Sequence, residues 1–164
     1  MALLTVYDLR LDFQRIRWLQ EATMTTRDCG LEPTHGLFGS PTWWRNIEDG
    51  VLVKHHAMGV INNIYSVGAS EHPQFAMVGL DGIESNWPRE TNRPEDDDFF
   101  VIGRSVELEY VLQRARADLS ILGIDQTERC ILSIRVDVPR QIRYRFDASR
   151  SSAGPGYIRP SRWN

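Results

Sequence analysis

A chain of 164 residues, 41% hydrophobic and 25% charged, has room for one core with extensions and excludes two separately folded domains. No stretch of about 18 apolar residues occurs, which excludes a spanning helix and sets the expectation of no membrane partner. The formal charge of -3 is unevenly spread: Arg140, Arg143, Arg145, Arg150, Arg159 and Arg162 against Asp147 make residues 139–164 +5, leaving -8 on residues 1–138.

At the N-terminus, MALLTVYDLRLDF lacks a basic start and reaches Asp8 too early for a secretory segment, which points to a cytoplasmic protein. Cys29 and Cys130 lie far apart in sequence and are expected as two reduced thiols. From Thr5, with Asp8 in a capping-box position, Leu9, Phe13, Ile16 and either Leu19 or Gln20 recur at helical spacing and predict one amphipathic helix. Its arginines fall largely off the apolar stripe as a solvated face, and Trp18 is expected to pack. A loop rich in glycine and turn formers follows. Ser40 as N-cap, Pro41 at the first helical position and Gly50 as the stop predict a short helix over PTWWRNIEDG. Trp43 and Trp44 are adjacent, so their side chains point about 100° apart and cannot share one pocket; one is expected to plug a barrel end, and the other either joins the core, the commoner outcome, or is left partly exposed as an interface anchor.

Residues 55–138 read as strands. In HHAMGVINNIYSVG, Ile61 and Ile64 are three apart, so the register must shift through Asn62 and Asn63. QFAMVGL runs into Asp81-Gly82, the strongest hairpin signal in the chain, and then IESNW. PRETNRPEDDD is a polar loop with two prolines, whose acidic run, Glu95 to Asp98, reads as a solvated cluster. Val106, Leu108, Tyr110 and Leu112 alternate with Glu107 and Glu109, and Cys130, Leu132, Ile134, Val136 and Val138 alternate with Ser133, Arg135 and Asp137, the period of half-buried strands. The segment from Arg114 to Arg129 allows a short helix or a long loop.

This order of strands resembles the five-strand layout of OB-fold domains, partly open Greek-key barrels that bind through strands two and three and their flanking loops. The expected fold is mainly β with N-terminal helices: a helical extension over 1–54, an OB-like barrel over 55–138 and a basic arm over 139–164. The resemblance implies a binding face at Tyr65, Phe75 and Trp87 with Arg89 beside them, rings on which bases stack if a positive groove tracks the phosphates. The acidic body supplies no such groove, so the arm, through Arg143, Arg145, Arg150, Arg159, Arg162 and Trp163, would have to provide it.

No catalytic signature is present. His55 and His56 are neighbours on a strand and point to opposite faces, so they cannot chelate one ion together. No metal-ligand spacing, nucleophile elbow or phosphate-binding loop occurs, and neither cofactor nor metal is expected. The leading expectation is a non-enzymatic module that joins a protein or nucleoprotein assembly, in contact with single-stranded nucleic acid through barrel and arm. The alternatives are an acidic protein-binding inhibitor or subunit without nucleic-acid contact, and a small hydrolase with carboxylates and histidines at the barrel mouth.

Overall fold

The computed structural model describes residues 2–69, 71–116 and 126–139. Six strands form one antiparallel sheet: β1 (Ala2–Asp8), β2 (Lys54–Val67), β3 (His72–Gly79), β4 (Glu84–Pro88), β5 (Ser105–Arg114) and β6 (Thr127–Val138). Their spatial order is β1-β6-β5-β2-β3-β4. The sheet is open, with β1 and β4 as its edges, which corrects the expected five-strand OB-like barrel. The long strand β2 pairs through its first half with β5 and through its second half with β3, so it joins the two wings of the sheet.

The N-terminus departs most from its sequence pattern. The helix expected from Thr5 starts only at Phe13, because Ala2–Asp8 pair with β6 across the length of the chain. Asp8 does act as a cap, but of the 3-10 turn Leu9–Leu11, accepting a hydrogen bond from Arg10 N at 2.9 Å. Asp12 then caps α1 (Phe13–Thr25) by accepting from Arg15 N at 3.0 Å. Asn92 closes the outer edge of β1, donating from its backbone to Val6 O at 2.9 Å while its side-chain oxygen accepts from Asp8 N at 2.6 Å. An edge blocked in this way cannot recruit another strand there.

Other expectations are met. The α2 helix (Pro41–Glu48) is capped by Ser40 and followed by Gly50 at φ 74°. The register shift in β2 falls between Ile61 and Asn63. Asp81-Gly82 turns β3 into β4. Gly59 lies between Gly79 and Val106 on its two neighbouring strands, and a Cβ there would stand 2.5 Å from Val78 O, so no larger residue fits without moving the sheet.

One face of the sheet is the core. Val106 pairs with Val136, Leu108 with Ile134 and Ala57, Ile61 with Met77, and Phe75 with Trp87. Phe99 and Phe100, from the 3-10 turn Pro94–Phe99 and its cap, close over this side, with Phe100 5.2 Å from Phe75. The opposite face is divided. At one end α2 crosses it and buries Val111, Gln113 and Cys130, with Trp43 donating from its indole N–H to Gln113 Oε1 at 2.9 Å and Gln113 in turn donating to Glu32 O. At the other end no element of the described chain crosses it. The alternation read in β5 therefore holds up to Tyr110 and then gives way: Leu112 is 40% exposed while Val111 and Gln113 are buried beneath α2. In β6, Ile131 joins the buried set because a bulge opposite Glu109 and Tyr110 breaks the strict period.

Candidate protein-binding surface

The titratable groups are held by structural partners. His55 stacks on Tyr110, with ring centroids 5.3 Å apart on the core side, while His56 lies 3.7 Å from Glu109 on the opposite face. Among the described residues, no three of His, Cys, Asp and Glu come together closely enough to hold a metal ion. The acidic run is no solvated cluster: Asp96 is buried and receives two hydrogen bonds from the Arg93 guanidinium, at 2.6 and 2.9 Å, and Asp97 lies 2.8 Å from Arg89. Two arginines thus stand against four carboxylates, and Glu95 and Asp98 stay exposed.

A second polar cluster ties β1 to α1. Tyr7 donates to Asp12 at 3.1 Å, and Arg15 donates to Glu90 at 2.5 Å. Burial pushes the Tyr7 hydroxyl well above the usual tyrosine range, and the neighbouring Asp12 and Glu90 carboxylates add to the rise against the opposing pull of Arg15. Burial also pushes the Cys130 thiol up to about 12, which leaves it protonated and unreactive at neutral pH. Both cysteines are free, Cys29 exposed and Cys130 buried. These groups knit the fold together, and none combines a low-pKa nucleophile with a base.

The expected ring-stacking site is mostly inside. Phe75 is fully buried, and Trp87 is buried with Tyr110 edge-on at 5.0 Å and the Arg129 guanidinium 4.5 Å from its ring. Tyr65 is half-buried and donates to Asn86 at 2.7 Å. Tyr65 and Phe75 point to opposite faces of the sheet, because they stand on neighbouring registers of the β2–β3 pair. Arg89 is turned to Asp97. Arg143, Arg145, Arg150, Arg159, Arg162 and Trp163 lie outside the described residues. Trp18, expected to pack, is 65% exposed on α1, because Ile16, Leu19 and Thr23 take the inward positions.

The open end of the divided face is the larger surprise. Met58 and Val60 on β2, 51% and 45% exposed, stand beside Val78 on β3, and Leu80 in the following turn is 92% exposed. Together with Gly79, Ser105 and Glu107 they line a shallow, mainly apolar groove of about 320 Å³. Glu107 lines it and bonds Arg135 at 2.7 Å, Glu84 stands opposite Val78 and accepts from Asn62 at 2.6 Å, and Asp81 follows Leu80 and shapes the hairpin by accepting from Ile83 N. Further along the same face, Trp44, Ile47, Leu132, Asp8, Glu48 and Glu109 line a charged recess of about 330 Å³ in which Arg10 lies 4.0 Å over the Trp44 ring. A signal for the groove existed in the sequence. Met58 and Val60 alternate with Ala57, Gly59 and Ile61, so β2 is apolar on both sides, and a strand of that kind needs a cover on each.

No helix among the described residues is long and apolar enough to cross a membrane. No curated protein matches the chain. Residues 3–137 match the family model described as Immunity protein RhsI2, which takes in all six strands save the ends of β1 and β6. The chain belongs to the RhsI2 immunity protein family.

Proposed function

We propose that this protein is a non-catalytic inhibitor that protects by binding a protein toxin, the acidic-inhibitor alternative of the sequence reading rather than its nucleic-acid form. The observation that carries the proposal is the family match over residues 3–137, since an immunity protein acts on a toxin. Its geometry agrees. The polar clusters are taken up by structural bonds, and the body of residues 1–138 carries -8, which suits a partner with a basic surface. Phe75 and Trp87, the rings that nucleic-acid stacking would use, belong to the core.

Inhibition by binding has a stoichiometric signature. Titrating the purified chain against its toxin domain should abolish toxin activity at one equivalent, and the two should elute together as a stable complex with both chains intact. Protection at a small fraction of an equivalent, with the toxin cleaved or modified, would show a catalytic protector and defeat the proposal.

A further inference from the structure

The open half of the sheet face differs from the rest of the surface in three respects. It is concave, its floor is apolar where β2 and β3 meet, and its rim is acidic. The floor is built from cross-strand neighbours: Val60 stands directly opposite Val78, and Met58 lies one pleat along, opposite Glu107. Three carboxylates, Asp81, Glu84 and Glu107, stand against one cation, Arg135, beside it. The exposed apolar residues of α1, Phe13, Trp18 and Met24, are separated along a convex helix face by Arg17 and Glu21.

We infer that this groove is where the toxin docks, which rests on the inhibitor reading above. The partner it fits is a protein that inserts an apolar side chain between Met58, Val60 and Leu80 and surrounds it with lysines or arginines facing the rim. An apolar centre excluding water, with charges at its border, is the usual anatomy of a tight interface. The acidic rim sets the sign of the partner's charge and speeds the encounter.

The inference is tested by affinity measurements of the full chain and three variants against the purified toxin domain. Met58→Lys places a cation opposite Glu107, which favours the sheet itself, while presenting the wrong charge and shape to a basic partner. It should cost about 100-fold or more in Kd, the scale of a central interface residue. Val60→Thr keeps the branched shape and the strand propensity and should cost about 10-fold. Trp18→Ala, on α1, should change Kd by less than about twofold. Circular dichroism and thermal melts on each variant confirm that the fold is kept.

If the wild-type chain fails to bind the toxin, the inhibitor reading itself fails. If the wild type binds and folded Met58→Lys and Val60→Thr bind equally well, the groove assignment alone fails. Loss of binding with Trp18→Ala but not with Met58→Lys would move the interface to α1 and overturn the assignment. So would a Met58→Lys chain that differs from the wild type only in self-association, or one whose groove is filled by residues 140–164 of its own chain.

Discussion

Two halves of one sheet face can be compared along a single strand. On β5, Glu107 and Glu109 lie on the same side as Val111 and Gln113, yet the first pair borders solvent and the second is buried. A bulge in β6 lies between the two pairs, yet both stay on one side of the strand and differ in what crosses it. Over Val111 and Gln113 lies α2, whose Trp43 fills the space against Phe38, ring centroids 4.8 Å apart, and finds an acceptor in Gln113. Over Met58 and Val60 no described element lies, although their side chains are as apolar as those beneath the helix. A face covered within the chain is a folding surface, and an equally apolar face left uncovered is available to a second molecule.

The sharpest way to break this contrast is to remove the cover. Trp43→Ala takes away a wholly buried side chain and leaves the Gln113 carbonyl oxygen without its donor, so stability should fall by about 3–5 kcal/mol. Urea unfolding of the variant measures it. A loss below about 1 kcal/mol would mean that α2 rests on the sheet without stabilising it and that the two halves differ less than the structure indicates.

Alkaline pH probes the covered half in a second way. Cys130 pairs with Val111 beneath α2, and its thiol is pushed up to about 12, whereas an unfolded thiol ionises near about 8.5. Above that lower value the unfolded chain holds fewer protons than the folded one, so stability is complete at neutral pH and falls as pH rises. The slope should approach about 1.4 kcal/mol per pH unit between the two values. Tyr7, also raised, steepens the loss at higher pH. Denaturation midpoints from pH 7 to 11 should decline, and Cys130→Ala should remove the earlier part of the decline; a flat profile in the wild type would show water reaching this sulfur. A thiol reagent at pH 8 should label Cys29 and spare Cys130 in the folded chain.

The same contrast explains what the sequence disclosed. Alternation in β5 and β6, the Ser40-Pro41 start of α2, the Asp81-Gly82 hairpin and the shift at Asn62 are local patterns, and local patterns were readable. The strand β1 was not, because Leu9, Phe13, Ile16 and Leu19 do have helical spacing, and only pairing with β6, more than 120 residues away, makes Ala2–Asp8 a strand. That same pairing adds a sixth strand to a sheet that stays open, where the resemblance implied a five-strand barrel. The site was harder still. Tyr65, Phe75 and Trp87 were chosen as aromatic residues near a polar loop, but an aromatic on an alternating strand faces the core as readily as a ligand. Binding through surface shape requires no fixed spacing of reactive groups, and no motif marks it.

A smaller effect concerns the acidic run, where Asp96→Asn weakens the paired hydrogen bonds from Arg93 that hold the turn carrying Phe99 and Phe100. Arg93 keeps substantial solvent exposure, which limits the cost to about 1–2 kcal/mol, and toxin affinity should stay unchanged. A thermal melt together with a binding titration separates the two. An affinity loss without a stability loss would make the acidic turn part of the interface after all.

The smallest effect on stability belongs to the open half itself. Glu107 and Arg135 are directly opposed across β5 and β6 and bonded at 2.7 Å, yet both side chains keep contact with water. A pair of this kind contributes about 0.2–1 kcal/mol, so Glu107→Gln, which keeps a polar side chain of the same length, should shift the urea midpoint by less than the equivalent of about 0.5 kcal/mol. Association with the toxin should slow instead, with a weaker dependence on salt, because the rim has lost one of its charges. A stability loss comparable to that of Trp43→Ala would show that Glu107 lies in a closed environment, and the distinction between a face covered by its own helix and a face left for a partner would no longer hold.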